Sequence, residues 1–199
     1  MPKKLPKKFY LREDTLEVAR DLLGKLLVVP DENGSRVSGR IVETEAYLGE
    51  ADRAAHSFGG RRTQRTEITY GEGGTAYVFF IYGMYDQFNV VTGAKGTPHV
   101  VLVRALEPVE GIEVMRERRA GRKDTELTNG PGKLCMALGI DRSLYGEGLR
   151  GPRIWIEDAP PVPEEHIEIS KRVGIDYAGE YAHKPWRYYE RENPFVSRK

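Results

Sequence analysis

The sequence predicts an α+β fold with a largely antiparallel sheet, built as a single domain. Strand-like and helix-like stretches follow one another without the regular βαβ alternation of parallel sheets. Two β-prone runs, 76–81 and 87–92, are separated only by a short tip near 82–86, which indicates a hairpin. A length of 199 residues is enough for one domain to bury its own core.

The chain begins with a basic segment. Residues 1–8 contain four lysines and two prolines, so we expect a mobile tail there and one domain over residues 9–199. Asp14 followed by Glu17 resembles a capping box. Leucines and alanines then recur at helical spacing, which predicts a helix over about 14–25.

The remaining elements follow from apolar alternation and from proline and glycine punctuation. Strands are predicted over 26–30, 40–48, the two arms of the hairpin, 99–106, 154–157 and a last run at Tyr188 and Tyr189. Helices are predicted from Pro108, from Pro131 to Gly139, and over 163–173. Residues 51–74 are polar and glycine-rich, which predicts a long loop, and long loops in compact domains are usually functional or mobile.

Composition excludes several classes of protein. Lysine and arginine total 31 against 30 acidic residues, so the net charge of +1 argues against a protein that coats DNA through bulk charge. A local basic patch remains compatible with that balance. No apolar run approaches ~18 residues, so we expect no membrane span, and the N-terminus lacks the apolar stretch of a secretory signal.

Cysteine and histidine usage limits the chemistry further. Cys135 is the one cysteine, so an internal disulfide and a cysteine-rich zinc site are excluded and a reducing, cytoplasmic compartment is expected. The four histidines are scattered without HxH or HxxxH spacing, so we expect no metal site. The chain also lacks a Walker loop and a GxSxG elbow.

The strand 41-IVETEAYLG-49 carries the first candidate residues. A period of two places Glu43, Glu45 and Tyr47 on one face. The plain interpretation is a half-exposed strand with a solvated acidic face. The functional interpretation is a carboxylate presented beside an aromatic ring in a cleft, where it could act as a general base on water.

The hairpin is unusually aromatic, with six aromatic residues in 75–89. Alternation places Tyr77 and Phe79 on one side and Phe80 and Tyr82 on the other. A sheet buried on both faces would account for this, and so would a surface on which planar ligands stack. Tyr82 lies near the predicted tip, where an aromatic side chain is poorly placed to join a core and well placed to insert into a binding partner.

Basic residues between the acidic strand and the hairpin form a second candidate site. Arg61 and Thr63 belong to 59-GGRRTQRT-66, together with Arg62 and Arg65. Solvated surface is the plain interpretation. Glycine, threonine and arginine together also suit phosphate contacts through backbone N–H, hydroxyl and guanidinium groups.

Six ordered blocks identify a resemblance. They are RIVETEAYLG, AAHSFGGR, AYVFFIYGMY, VLVRALEP, NGPGKLCMALGI and AGEYAHKPWRYYE. Together they resemble the alkyladenine (3-methyladenine) DNA glycosylase family, monofunctional enzymes that excise damaged purines. The resemblance runs from about Phe9 to Ser197. It implies a curved, open barrel-like sheet with surrounding helices and a protruding hairpin.

The resemblance also implies a role for each matched residue. Glu45 corresponds to the general base that activates water, and Arg104 to an arginine near the reacting sugar and phosphate. The flipped base would lie in a pocket formed by Tyr47, His56, Phe79 and Asn89, with Phe79 at a position where many members carry tyrosine. The hairpin would enter the DNA with Tyr82 in the gap and Met84 and Tyr85 beside the minor groove. Arg61 and Thr63 would contact phosphate.

Double-stranded DNA containing an alkylated or deaminated purine is therefore the expected partner. The resemblance implies a monomer without cofactor, metal or membrane partner, associated with the nucleoid of a prokaryote. The pocket motifs contain no lysine that would form a Schiff base, so lyase activity is not expected. Two alternatives remain, a non-catalytic nucleic-acid-binding module with the same fold and a hydrolase of free nucleosides.

Overall fold

The computed structural model describes residues 3–81 and 83–198. Eight strands lie in these ranges: β1 (Leu26–Pro30), β2 (Arg36–Leu48), β3 (Ala76–Ile81), β4 (Tyr85–Thr92), β5 (His99–Glu110), β6 (Trp155–Glu157), β7 (Ile167–Ser170) and β8 (Arg187–Glu190). The α-helices are α1 (Lys7–Tyr10), α2 (Thr15–Asp21), α3 (Ile112–Arg118) and α4 (Pro131–Leu138). Short 3-10 turns fill much of the loop between β2 and β3.

The strands form one antiparallel sheet in the order β3-β4-β5-β2-β1-β6, and β8 joins β2 to β7. The sheet is curled into a half-barrel, so the predicted α+β fold with a curved antiparallel sheet is confirmed. The bend is concentrated in β2, whose pairing with β5 shifts register at Ser38/Gly39 and on both sides of Glu43. Such bulges bend a strand and increase its twist.

Strand β2 is the centre of the molecule because it changes neighbours along its length. Its first half pairs with β1, and its second half pairs with β8 on the same edge. Gly39 allows the close approach of β5, because a Cβ there would lie 2.8 Å from the Cβ of Leu106. The helices cover the apolar side of this sheet around a core that includes Leu22, Leu106 and Leu134.

Helix α2 begins as the sequence predicts. The Asp14 carboxylate accepts hydrogen bonds from the backbone N–H groups of Leu16 and Glu17, which satisfies two donors of the first turn. The hydroxyl of Thr44 on β2 donates to the carbonyl of Ala19 and anchors the helix to the sheet. The helix ends at Asp21, earlier than predicted.

Three predictions are wrong. Residues 3–8 are not a free tail, since the backbone of Lys4 forms a β-bridge with that of Glu157 and Leu5 is buried in the core. Pro108 does not open a helix, because β5 continues to Glu110 and α3 follows it. The segment predicted as a helix over 163–173 is a short 3-10 turn followed by β7, whose pairing with β8 outweighs its helical periodicity.

No helix in the described ranges is long and apolar enough to span a membrane.

Candidate active site

A cavity of about 310 Å³ lies beside the sheet, next to the central strand β2. Residues of β2, β3, β4 and β5 line it, together with the segments that join β2 to β3, β4 to β5 and β7 to β8, the start of α4 and Arg198. The lining includes Tyr47, Ala54, Ala55, His56, Tyr77, Phe79, Asn89, Leu102, Arg104, Val173, Gly174 and Tyr177. The residues predicted for the base pocket, Tyr47, His56, Phe79 and Asn89, are therefore brought together.

Glu45 is completely buried and does not itself line the cavity, but Tyr47, Arg104 and Val173, which do line it, all donate to its carboxylate. One carboxylate oxygen accepts hydrogen bonds from the Tyr47 hydroxyl at 2.8 Å and from Arg104 at 3.4 Å. The other oxygen accepts the backbone N–H of Val173 at 2.7 Å. The plain interpretation of a solvated acidic face is therefore wrong. A carboxylate with this set of donors is fixed in position, as a general base must be.

Arg104 links the two buried carboxylates of β2. Its Nε donates to Glu43 at 3.1 Å while its terminal nitrogen reaches Glu45. Burial lowers the pKa of Arg104, but Glu45 and Glu43 raise it by more, so the net shift is upward and the guanidinium stays charged. Arg104 lines the cavity, whereas Glu43 does not, and Glu43 also accepts hydrogen bonds from Arg187 and Ser197.

Tyr47 is the residue that joins the carboxylate to the aromatic wall. Burial raises the pKa of its hydroxyl well above the ordinary value, and the negative charge of Glu45 raises it further. The hydroxyl therefore stays protonated and donates to Glu45. The ring lines the cavity, as the alternation of β2 predicts.

A cluster of three rings forms another part of the wall. His56 meets Phe79 edge to face at 4.6 Å, and Phe79 lies 5.2 Å from Tyr77. Nδ1 of His56 is 2.8 Å from the Tyr77 hydroxyl. Burial lowers the pKa of His56 to about 4, with a further contribution from Arg65 and Arg61, so the imidazole is neutral at pH 7. If Tyr77 donates to Nδ1, the imidazole carries its proton on Nε2.

Asn89 lies on β4 beside these rings and is buried. Its side-chain nitrogen donates to the backbone carbonyl of Tyr77 at 3.3 Å, a contact that fixes the amide at the wall of the cavity. The register of the sheet explains this placement, because Asn89 is paired with Tyr77 on one side and with Leu102 on the other.

The hairpin carries exposed apolar side chains at its tip. Met84 is 66% exposed and Tyr85 is 39% exposed, which is unusual for residues of their size. Tyr85 packs against Gly132, where any Cβ would lie 2.9 Å from the Cβ of Tyr85. Tyr82, the predicted wedge, lies outside the described residues.

Arg61 and Thr63 are not among the described residues that line the cavity. Thr63 shapes its own turn instead, since its backbone N–H donates to the Thr66 hydroxyl at 2.8 Å. Arg61 is exposed and its carbonyl accepts from Thr66. Both lie in the segment that also carries Arg65, whose guanidinium carbon is 5.7 Å from the ring centroid of Phe79.

A second cavity of about 460 Å³ adjoins the first near the end of the hairpin. The two share Ile81, Gln87 and Pro131. Three cationic side chains line the second cavity: Arg119, Arg122 and Lys133. Positive charge therefore lies near the first cavity from two groups: Arg61 and Arg65, which lower the pKa of His56, and the three cations of the adjoining cavity.

Several residues of the site have no signal in the local sequence. Val173 provides a donor to Glu45 through its backbone, which no side-chain pattern reveals. Arg172 and Asp52 form a buried pair next to it, although they are 120 positions apart. Tyr77 alone could have been found, because alternation already placed it on the same side as Phe79.

No group of three or more histidine, cysteine, aspartate or glutamate side chains in the described part of the chain is arranged to hold a metal ion.

The chain is similar over almost its whole length to one group of known proteins. A family model described as methylpurine-DNA glycosylase (MPG) matches residues 8–194. A protein of Desulfitobacterium hafniense (strain Y51) is 50% identical over 205 residues, with 98% of each chain covered. A protein of Bacillus cereus (strain Q1) is 51% identical over 207 residues, again with 98% of each covered. A third, from Clostridium novyi (strain NT), is 48% identical over 205 residues, covering 99% of this chain and all of its own. All three are provisionally named 3-methyladenine DNA glycosylase.

Proposed function

The chain belongs to the methylpurine-DNA glycosylase family, and from this premise we propose that it excises damaged purines from duplex DNA by a hydrolysis in which Glu45 activates the water. Family membership makes it a DNA-repair hydrolase of N-glycosyl bonds. The observation that carries the finer proposal is the position of Glu45, a completely buried carboxylate held by Tyr47, Val173 and Arg104, three residues that line an aromatic cavity.

The reacting bond is inaccessible inside a duplex, so the nucleotide has to rotate out of the stack. The cavity of about 310 Å³ provides space for a purine. Tyr47 on one part of the wall, and His56 with Phe79 on another, would stack on the base, since aromatic faces hold nucleobases at ~1–3 kcal/mol each. Cationic alkylated purines would gain a further cation–π attraction.

The neutral state of His56 matters for this choice of substrate. A charged imidazole would repel a cationic base, whereas the pKa of about 4 keeps the ring uncharged at pH 7. Asn89 is fixed to the backbone of Tyr77 and would crowd a purine that carries an extra exocyclic group. Shape and charge together would then favour damaged over ordinary purines.

Hydrolysis would proceed by direct displacement. Glu45 accepts a proton from water while the water oxygen forms a bond to C1′ of the sugar. The N-glycosidic bond breaks, its electron pair leaves with the base, and an abasic site remains. The transition state resembles an oxocarbenium ion, which a nearby carboxylate stabilises. Arg104 would hold Glu45 and the adjacent phosphate in register.

A covalent route through a lysine is not supported by the lining of the cavity. None of the described residues that line it is a lysine. One carboxylate and one water are therefore the groups available for displacement, in agreement with a monofunctional glycosylase.

The test uses a duplex with a single hypoxanthine or 1,N6-ethenoadenine. Wild-type protein should produce alkali-labile breaks at the lesion, and Glu45→Gln should lower their rate by at least about 100-fold, because general-base catalysis contributes 10²–10⁴. Glu107→Gln is the matched control, since Glu107 also pairs with an arginine of the same sheet, Arg40. Undiminished cleavage by Glu45→Gln would contradict the assignment. Lesion binding by the wild type without cleavage would favour the non-catalytic module.

A further inference from the structure

A buried ion pair beside the cavity takes no part in the mechanism above. Arg172 and Asp52 are both fully buried, and two guanidinium nitrogens donate to the two carboxylate oxygens over 2.6 and 2.9 Å. The same nitrogens donate to the backbone carbonyls of Ala46 and Tyr181. Arg172 thus connects the end of β2, the loop after β2 and the segment before β8 at one point.

The guanidinium of Arg172 also packs against the aromatic wall. Its central carbon lies 4.6 Å from the ring centroid of Tyr47 and 4.9 Å from that of Trp186. Tyr47 lines the cavity, and Arg172 is not among its described lining residues. The guanidinium therefore supports the Tyr47 ring from outside the space where a base would lie, at a distance typical of cation–π contact.

The residue after Arg172 holds the carboxylate. The backbone N–H of Val173 donates to Glu45 over 2.7 Å. Because adjacent residues share a peptide unit, fixing Arg172 also limits where this N–H can lie. A single anchored arginine thereby reaches both Tyr47 and Glu45, which are themselves joined by a hydrogen bond.

Stability alone does not account for the pair. The Nε of Arg172 is buried without a hydrogen-bond partner in the described part of the chain, and such a donor destabilises a fold. Buried ion pairs can often be replaced by apolar side chains without loss of stability. The pair is therefore better explained by the positions it imposes on neighbouring residues than by a gain in folding stability.

We propose that Arg172, held by Asp52, is a positioning residue that fixes the aromatic wall and the carboxylate of the site together. The inference rests on the proposed function, because Arg172 acts through Tyr47 and Glu45. It adds to that function an ion pair outside the cavity that positions both the stacking ring of Tyr47 and the water-activating carboxylate of Glu45.

The test compares Arg172→Lys with Arg36→Lys. Arg36 is a matched control, since it also holds a carboxylate with two hydrogen bonds, to Glu157, and lies 6.0 Å from the ring of Trp155, away from the cavity. Both variants should lower the temperature of unfolding. Only Arg172→Lys should lower the single-turnover excision rate on ethenoadenine duplex by about tenfold or more, since small misplacements of reacting groups cost up to 10²-fold. Equal rate losses in the two variants would overturn the proposal.

A binding measurement tests the contact with Tyr47 separately. In a Glu45→Gln background, Arg172→Lys should weaken binding to the ethenoadenine duplex several-fold and leave binding to undamaged duplex unchanged. Asp52→Asn, which keeps the size of the side chain and removes its charge, should act in the same direction and serves if the lysine variant does not fold. Unchanged lesion binding in both would overturn the proposal. Failure of the wild type itself to excise would instead contradict the proposed function.

Discussion

The ring cluster around His56 shows how burial sets the chemistry of a single residue. His56 is hydrogen-bonded to Tyr77, packs on Phe79, and lies near Arg61 and Arg65. Burial and the two arginines disfavour a proton on the imidazole, because burial removes water and the arginines repel a further positive charge. The His56 ring in the wall of the cavity is therefore uncharged at pH 7.

This environment predicts a pH dependence of stability. The pKa of His56 is near 6.5 in the unfolded chain and about 4 in the folded one, so the unfolded state binds more protons between these values. The contribution is present above pH 6.5 and is lost as pH falls towards 4. Between pH 7 and pH 4.5 the loss should be about 2–3 kcal/mol of unfolding free energy. Urea denaturation at both pH values measures it.

His56→Phe provides the comparison, because it keeps a ring at this position and removes the titration. Its loss of unfolding free energy over the same pH range should be smaller than that of the wild type by about 2–3 kcal/mol. His99, whose pKa burial also lowers, is present in both proteins and cancels in the difference. Equal losses in the two proteins would show that His56 does not titrate as its surroundings indicate.

Single residues also show what the sequence could predict of the site. Alternation along β2 and β3 places Glu45 with Tyr47 and Tyr77 with Phe79, and the cavity contains these rings in that arrangement. Alternation could not show that the acidic face is buried, because its burial depends on contacts with Arg104 and Val173, which belong to distant segments of the chain. Arg172 lies in an ordinary-looking loop, and only tertiary contacts give it a role.

At the scale of elements, local signals predicted most of the fold. The cap at Asp14, the proline and glycine around α4 and the hairpin arms are all set by neighbours in the sequence, and all are found in the structure. The failures depend on distant partners. Lys4 and Leu5 are held by β6 and the core, and residues 167–170 are drawn into the sheet by β8.

The hairpin formed by β3 and β4 projects exposed apolar side chains, Met84 and Tyr85 among them. If it enters the duplex, Tyr82, which follows β3 in the sequence, should offset the stacking lost when the base leaves. Tyr82→Ala should weaken binding to lesion duplex by about tenfold with an unchanged unfolding temperature, as base–aromatic stacking is worth ~1–3 kcal/mol. Phe80→Ala, at the neighbouring position under Arg142, is the control. Unchanged lesion binding would remove Tyr82 from the wedge role.

The C-terminal segment is held against the site by the second buried carboxylate. Glu43 accepts the backbone N–H and the hydroxyl of Ser197, and it also accepts from Arg187 and Arg104. Arg187 donates in turn to the carbonyl of Arg198. The end of the described chain is therefore one of the supports of Arg104.

Truncation after Val196 should therefore lower both the stability of the protein and its excision rate. Two hydrogen bonds to Glu43 disappear, which destabilises the protein by about 1–3 kcal/mol at 0.5–1.5 kcal/mol each. The unfolding temperature should fall by about 2–12 °C, since each kcal/mol shifts it by about 2–4 °C in a domain of this size. Glu43 loses part of its restraint on Arg104, and Arg198 is removed from the lining of the cavity. The excision rate should therefore fall by about tenfold, measured in single turnover below the new transition. Ser197→Ala removes only one donor and should show the smaller effect. A truncated protein that excises at the wild-type rate would contradict this support.

For the whole molecule, near-neutral charge is compatible with DNA binding because charge is unevenly distributed. Many arginines are already neutralised, as Arg62 is by Glu67 and Arg116 by Asp124. Among the described residues, Arg61, Arg65 and Arg122 have no acidic partner within salt-bridge distance. The charges of Arg61 and Arg65 act on His56, and Arg122 lines the second cavity. We call these three arginines the basic rim; they leave unpaired positive charge near the site although the net charge is only +1.

This distribution predicts the salt dependence of binding. The logarithm of the binding constant falls with the logarithm of salt concentration with a slope of about −0.9 per phosphate neutralised. Anisotropy between 50 and 200 mM KCl, with Glu45→Gln protein to prevent turnover, should therefore give a slope of roughly −3 to −5. Arg65→Ala should reduce its magnitude by about 0.9. Arg62→Ala should change it far less, because Glu67 already satisfies that guanidinium through two hydrogen bonds of 2.6 and 2.7 Å. Equal changes in slope for the two variants would mean that DNA displaces Glu67, and that the basic rim forms only when DNA binds.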